Sequence, residues 1–182
     1  YLLRDQAFEG VTVRLTASVL AEAVGLIVKV EVEGAAKDAM LVWTYDGGCD
    51  SPKQAEKVKY TLEGGVFECV RGFDRSDKTV ADNGKLLQLL AALPQWTAHI
   101  KGGSSWRGAS GFGTSSSVAG NPGELLKAAE SAPASSPLSR TPCVVVEKIA
   151  LPDAAATGYI VVGMGGNIDE AIREPAAAYR AA

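Results

Sequence analysis

Two stretches near the amino terminus alternate apolar and polar residues with a period of two. In VTVRLTASVL (11–20) apolar residues occupy every odd position from Val11 to Val19, and in LIVKVEVEG (26–34) Lys29, Glu31 and Glu33 each follow a valine. Because successive side chains of a strand point to opposite faces, this period predicts two half-buried strands. Each strand must cover its apolar face with another layer, which favours a fold built from packed β-sheets.

Further runs extend this β pattern along the chain. A short turn leads from the second run to AMLVWTY (39–45), and the three runs together predict an antiparallel meander. The stretch KVKYTLEGGVFECVRG (57–72) predicts a hairpin that turns at Gly64 and Gly65. Three more strands are predicted from QWTAHIKG (95–102), TPCVVVEKIAL (141–151) and GYIVVGMGG (158–166). The last is apolar at nearly every position, which is typical of a central strand covered on both faces.

Helical patterns are few and short. NGKLLQLLAAL (83–93) and NPGELLKAAESA (121–132) each predict one short helix, the second beginning at a cap residue followed by proline. A further helix is predicted after Asn167, and Pro175 either breaks it or begins another. Its apolar face consists of Ile168, Ala171 and Ile172.

The segments between these elements are rich in small residues. KGGSSWRGASGFGTSSSVAGNPG (101–123) and SAPASSPLSRTP (131–142) are dense in Gly, Ser and Pro and are predicted to be surface loops. The predicted fold is therefore mainly β: an antiparallel β-sandwich with one or two short helices. We expect the sandwich to span residues 1–166. Residues 167–182 are expected to form the start of a helical linker to a following domain.

Composition narrows the class of protein. The 182 residues are 47% hydrophobic and 21% charged, as expected of one folded domain. The net charge of −3 gives no electrostatic basis for binding nucleic acid or an anionic membrane. No apolar run reaches the roughly 18 residues of a membrane-spanning helix. The expected partners therefore include neither nucleic acid nor membrane.

The cysteines and the single histidine predict no metal site and no cofactor. Cys49, Cys69 and Cys143 form no C-x-x-C pair, and His99 is the only histidine of the chain. A zinc site would need an unusual assembly of distant residues. The cysteines are predicted to be small buried residues or thiols, while one Cys49–Cys69 bridge stays open as an alternative.

The motifs that usually carry catalysis are incomplete. VVGMGGNIDEAI (161–172) lacks the G-x-G-x-x-G spacing of a dinucleotide loop, and GASGFG (108–113) misses the G-x-S-x-G spacing of a serine nucleophile. Asp74 and Asp77 lie in a turn without the spacing of a calcium loop. No catalytic residue is predicted. A small hydrolase using His99 with Asp74 or Asp77 is the weakest of the functions considered.

Aromatic residues are the best candidates for binding. Tyr45 shares a strand face with Trp43 and precedes Asp46 at a glycine turn, while Trp96 and Trp106 lie near or in the Gly/Ser segments. Exposed aromatic rings on a β-sandwich can stack on sugar rings. Core packing is favoured for Trp43, and both a loop anchor and an exposed contact stay open for Trp106. The candidate carbohydrate-binding residues are Tyr45, Asp46, Trp96 and Trp106.

Three stretches resemble one protein family. The run from VTVRL to DGG (11–48) resembles the amino-terminal, supersandwich-like β-sandwich of large bacterial glycoside hydrolases, where a strand pair leads into an aromatic-plus-Gly-Gly turn. CVVVEKIALPDAAATGYIVVGMGG (143–166) is similar to the closing strands of that sandwich, and DEAIREPAAAYRAA (169–182) to the start of its helical linker. Asp46 and Cys49 depart from the family pattern, which has apolar or small residues there.

The resemblance implies a function for the chain as part of a larger protein. In that family the sandwich precedes an (α/α)6 barrel that holds the catalytic acids, so no catalytic residue is expected here. The implied role is that of a non-catalytic domain that packs on and supports the catalytic domain of the same polypeptide, in the periplasm or outside the cell. Tyr45 and Asp46 would lie near the barrel cleft. The start at Tyr1 and the end within a helical pattern also predict a longer protein.

The alternative is a stand-alone carbohydrate-binding module that uses Trp106, Trp96 or Tyr45. Exposure separates the two functions. A coplanar pair of exposed aromatic rings on one face favours sugar binding, whereas an exposed apolar patch without such a pair favours docking to another domain.

Overall fold

A computed structural model describes residues 1–4, 9–46, 58–73, 96–114, 123, 127 and 143–179. These residues form ten strands and, near the carboxyl end, two short helices. The helices are α1 (Ile168–Arg173) and α2 (Pro175–Ala178). The strands are β1 (Leu2–Leu3), β2 (Thr12–Val19), β3 (Val24–Glu33), β4 (Met40–Asp46), β5 (Val58–Glu63), β6 (Val66–Phe73), β7 (Trp96–Ser104), β8 (Ala109–Thr114), β9 (Cys143–Ala150) and β10 (Ala156–Met164).

The strands form two antiparallel sheets, which confirms the predicted mainly β, sandwich-like fold. The large sheet has seven strands in the order β1-β2-β3-β10-β7-β6-β5, and the small sheet has three in the order β4-β9-β8. Strand β10 lies in the middle of the large sheet, between β3 and β7, as its nearly continuous apolar sequence predicts.

The predicted meander is correct for two strands and wrong for the third. All eight residues of β2 pair with β3, from Thr12 opposite Glu33 to Val19 opposite Leu26. Strand β4 instead enters the small sheet, where it pairs with β9. The reason is that the second edge of β3 pairs with all nine residues of β10, which come from much later in the chain.

The hairpin of β5 and β6 confirms its prediction. The two strands pair from Val58 opposite Arg71 to Glu63 opposite Val66. Gly64 and Gly65 connect them with φ values of 56° and 76°. A two-residue turn with two positive φ values matches the twist of the strands it joins, and glycine adopts those values without steric cost.

The loop predicted at residues 101–123 is wrong for much of its length. Residues 101–104 complete β7, and Ala109–Thr114 forms β8, the edge strand of the small sheet beside β9. Its small residues mark close packing rather than a loop. A Cβ atom on Gly102 would lie 2.5 Å from the ring of Phe67, its partner on β6. Glycine within a strand often marks such a close approach.

The core between the two sheets consists of two neighbouring clusters. In one, Phe67 and Cys69 of the large sheet meet Val145 of the small sheet. In the other, Val30 and Val32 of β3 are packed with Leu41 of β4. The start of β4 thus contacts β3, and the end of β4 contacts β6 through Tyr45. The direction of β4 therefore crosses the strands of the large sheet.

The two helices cover the opposite face of the large sheet. Ile168, Ala171 and Ile172, the predicted apolar face of α1, are buried against Ile27 and Val161. The predicted start at Asn167 is confirmed, although its side chain makes no cap and instead donates to a carboxylate oxygen of Glu22 at 2.8 Å. Pro175 begins α2. That this segment links the sandwich to a following domain stays a prediction.

Several predictions fall partly or wholly on residues outside this description. The helix at 83–93 lies outside it, and of the helix at 121–132 only Gly123 and Lys127 are described, both helical. Cys69 is a buried thiol, as predicted. Cys143 is the first residue of β9. Cys49 is not among the described residues. In the described ranges, no helix has the length and apolar character needed to cross a bilayer.

Candidate functional site

Tyr45 and Trp43 are part of the core between the sheets. The ring of Tyr45 stacks on that of Phe67 with centroids 4.6 Å apart and planes at 25°. Trp43 contacts the same ring at a tilted angle, with centroids 6.2 Å apart. Core packing, the interpretation favoured for Trp43, is confirmed. One face of each ring is therefore directed at another aromatic side chain.

Trp106 lies in the turn between β7 and β8 and folds back onto the sandwich. A Cβ atom on Gly158 of β10 would lie 2.3 Å from the indole ring, so this glycine leaves the space that the ring fills. The indole also packs against the core cluster around Val30 and Val32. Of the two roles open for Trp106, the structure supports the loop anchor. The same residue lines a shallow groove of about 470 Å³ with Lys148, Ile149 and Pro152.

The four candidate carbohydrate-binding residues lie on three different elements, with Tyr45 and Asp46 together on β4. Asp46 ends β4 opposite Val144, next to Tyr45 in the small sheet. Trp96 begins β7 in the large sheet, opposite Phe73. Trp106 belongs to a core cluster separate from that of Tyr45. The rings of Tyr45 and Trp106 therefore form no common platform.

His99 lies on an exposed part of β7. Its Nδ1 atom is 3.0 Å from a carboxylate oxygen of Glu68 on the neighbouring strand. Asp74 and Asp77, its possible catalytic partners, lie outside the described residues. Over the described part of the chain, no three His, Cys, Asp or Glu side chains come together in a group that could hold a metal ion.

Glu147 is a buried carboxylate between the sheets. It lies on β9, is 1% exposed, and points towards the large sheet. One carboxylate oxygen accepts hydrogen bonds from the Ser104 hydroxyl at 2.7 Å and from the Gly108 backbone N–H at 2.6 Å. The other oxygen accepts a hydrogen bond from the Trp43 indole N–H. The carboxylate thus joins β4, β7 and the turn that follows β7.

Burial raises the pKa of Glu147 above the ordinary value of a glutamate, because desolvation disfavours the charged form. The hydrogen bonds from Ser104, Trp43 and Gly108, and then the charge of Arg107, act in the opposite direction but do not reverse it. A glycan cannot reach a side chain that is 1% exposed. The arrangement therefore fixes how the sheets meet and offers no group for acid catalysis on a bound substrate.

Sequence reasoning missed Glu147, although a signal was present. In CVVVEKIA the period of two places Glu147 on the same face as Val145 and Ile149, both of which are buried. A lone carboxylate on the buried face of a strand indicates a fully hydrogen-bonded interior site.

The larger candidate for an interaction site is an apolar surface that the small sheet leaves uncovered. Val19, Val24 and Leu26 share the inward-facing side of β2 and β3, yet they are 80%, 72% and 46% exposed. At the other end of these strands lies an open groove of about 790 Å³ that apolar residues line. We call the exposed members of this surface the uncovered margin: Leu2, Leu3, Val19, Val24, Leu26 and Met40.

The uncovered margin follows from the unequal size of the sheets. One sheet has seven strands and the other three. Val13 and Leu15 of β2 still belong to the core cluster that contains Leu41 of β4, whereas Val19 at the other end of β2 is 80% exposed. The residues that line the groove are aliphatic or small, with Arg4 and Asp38 as its charged members and no aromatic ring among them.

Comparison with known proteins identifies no family for this chain. No protein-family model matches the chain, and no curated protein matches it.

Proposed function

We propose that this chain is a non-catalytic β-sandwich domain of a larger carbohydrate-active enzyme, a glycoside hydrolase exported to the periplasm or the cell exterior. Its role is to pack on the catalytic domain of the same polypeptide and to support the substrate cleft. The observation that carries this proposal is the uncovered margin. Exposed apolar patches mark interaction sites, and Val19, Val24 and Leu26 form one such patch.

Burial of the uncovered margin would supply a substantial driving force for docking. Transfer of one valine or leucine side chain from water to a packed interface contributes about 1.5–3 kcal/mol. Val19 and Val24 are mostly exposed to water in this chain, and Leu26 is about half exposed. Together they would contribute several kcal/mol before the entropy lost on association is subtracted.

The positions of the aromatic residues favour docking over sugar binding. A stand-alone carbohydrate-binding module needs ring faces directed at solvent, whereas Tyr45 stacks on Phe67 and Trp106 packs on Gly158. The alternative function rests on the shallow groove beside Trp106, where Lys148 could donate a hydrogen bond to a sugar hydroxyl.

A pair of lysine substitutions tests the docking function in the polypeptide encoded by the complete reading frame. Val19→Lys places a charge on the uncovered margin, and Thr16→Lys places the same charge on the opposite, exposed face of β2. We expect Val19→Lys to lower the thermal midpoint of the catalytic domain and its turnover, with Thr16→Lys close to wild type. Equal behaviour of the two variants would exclude docking through this surface.

Glycan affinity electrophoresis of the chain with and without Trp106→Ala tests the alternative. Retardation that disappears in the variant would move the binding-module function to first place. The docking function predicts equal migration of both chains on every glycan.

A further inference from the structure

Arg107 has an unusual backbone conformation. Its φ of 52° makes it the one non-glycine residue with positive φ among the residues that the structure describes. A side chain with a Cβ atom disfavours this left-handed region. Such a conformation persists only where the surrounding contacts impose it.

The contacts of the Arg107 side chain reach the outer layer of the fold. One guanidinium nitrogen donates to the backbone carbonyl of Gly64, in the turn between β5 and β6, at 3.3 Å. Another donates to the carbonyl of Ile172, in the last turn of α1, also at 3.3 Å. Carbonyls in the last turn of a helix have no partner within the helix, so this arginine supplies one.

The backbone of the same turn reaches the interior. At the two ends of the turn, the Ser104 hydroxyl and the Gly108 backbone N–H both donate to one carboxylate oxygen of Glu147. The Arg107 backbone N–H donates to the Ser104 carbonyl at 3.4 Å. The conformation of Arg107 sets the direction of the next peptide group, and therefore of the Gly108 N–H.

We propose that Arg107 couples the docking of helix α1 on the large sheet to the hydrogen bonding of the Glu147 carboxylate between the sheets. When α1 is docked, the Ile172 carbonyl holds the guanidinium, and the left-handed backbone directs the Gly108 N–H at Glu147. When α1 moves away, Arg107 returns to a relaxed backbone conformation and the Gly108 N–H leaves the carboxylate. Movement at the outer face of the sandwich is thereby transmitted to its interior.

This coupling does not depend on the proposed function, because every contact in it lies within the chain. It acts between two separate layers: the buried face of α1 packs on one side of the large sheet, and Glu147 lies on the other. Energetic coupling between such sites requires a physical element that both of them bias. The turn of residues 104–108 is that element.

The test combines a helix substitution with an arginine substitution. Ile172→Ala loosens the docking of α1, since Ile172 is 4% exposed and packs on the sheet. We expect it to speed amide hydrogen exchange at Gly108 by about tenfold, within the range seen for residues that share partners. We also expect the indole N–H resonance of Trp43 to shift, because that group hydrogen-bonds the same carboxylate.

The decisive comparison repeats Ile172→Ala in the Arg107→Ala background. If Arg107 carries the coupling, Ile172→Ala no longer changes exchange at Gly108 there. Arg173→Ala is the matched control, because this arginine belongs to α1 and its contact is an exposed one with Glu174 at 3.8 Å. It should leave Gly108 and the Trp43 indole at their wild-type values.

Arg107→Lys keeps the comparison possible if Arg107→Ala does not fold. Lysine retains the charge but lacks the fork that reaches two carbonyls, so we expect it to reduce the coupling. The proposal is wrong if Ile172→Ala changes Gly108 exchange equally in the wild-type and Arg107-substituted chains. It is also wrong if Ile172→Ala leaves Gly108 unchanged while exchange in α1 itself rises.

Discussion

At the scale of single residues, two side chains determine how the layers of this protein meet. Glu147 joins the two sheets through Ser104, Gly108 and Trp43. Trp106 fastens the adjoining turn to Gly158. Both contacts connect segments that lie more than 35 residues apart in the chain, and sequence spacing alone therefore could not assign them.

Glu147→Gln is predicted to change how stability depends on pH. Because burial raises the folded-state pKa, the folded chain retains a proton that the unfolded chain loses as the pH rises past about 4.3. The stabilisation that the folded chain gains from the retained proton on Glu147 is fully present below that pH. It is lost as the pH rises through the raised pKa. The advantage of wild type over Glu147→Gln should therefore be greatest in acid and fall at up to about 1.4 kcal/mol per pH unit.

Urea unfolding of both proteins between pH 4 and pH 8 measures this difference. The other carboxylates contribute equally to the free energy of unfolding of the two proteins, so their contributions cancel in the difference. An advantage of wild type that grows with pH would contradict the prediction and show that the three hydrogen bonds outweigh desolvation.

Gly158→Ala is predicted to destabilise the fold by about 1–3 kcal/mol, because the added methyl group would overlap the Trp106 indole. Gly166→Ala is the matched control, since a Cβ atom there meets nothing within 4 Å. It should change the free energy of unfolding by less than about 0.5 kcal/mol. Equal effects of the two substitutions would mean that Trp106 does not rest on Gly158.

At the scale of elements, the sequence predicts strands better than it predicts their partners. The period of two identifies β2 and β3, and the paired glycines identify the β5–β6 turn, because these signals are local. The placement of β4 depends on β10, a strand more than 100 residues later, so the meander prediction failed at that point. Strand β8 was missed because glycine and serine imitate loop composition.

The β5–β6 turn supports a prediction of its own. Gly64→Asn should fold with stability equal to or slightly above wild type, because asparagine tolerates positive φ in this turn type. Gly64→Val should lose about 1–2 kcal/mol, because a β-branched residue does not. Thermal unfolding compares them, and equal midpoints would indicate that the turn does not require positive φ.

At the scale of the whole molecule, the residues that the structure describes form three layers, and one boundary between these layers is incomplete. The small sheet and the helices cover opposite faces of the large sheet, and the uncovered margin remains where the small sheet ends. The sequence predicted that Val19 and Leu26 face inward. It could not show that the small sheet does not pack over these two residues, because long-range strand pairing determines how far the small sheet extends. The implied glycoside hydrolase function stays a proposal.

The uncovered margin should contribute little to folding of the isolated chain. Val24→Thr and Val161→Thr make the same isosteric change at positions that are 72% and 1% exposed. We expect the first to alter the free energy of unfolding by less than about 0.5 kcal/mol. The second should cost about 1–3 kcal/mol, because it buries a hydroxyl group. A comparable loss at Val24 would mean that this surface already belongs to the core.

We propose that the uncovered margin is a docking surface for a neighbouring domain of the same polypeptide. The most direct measurement is methyl NMR of Val19, Val24 and Leu26 with a soluble paramagnetic agent, on this chain alone and on the polypeptide encoded by the complete reading frame. Val144, buried in the chain, and the methyl group of Thr16, exposed on the opposite face of β2, serve as the references. We predict strong relaxation of the three methyl-bearing residues in the isolated chain and protection in the complete polypeptide. Equal relaxation in both, or a reading frame that encodes no further domain, would contradict the claim.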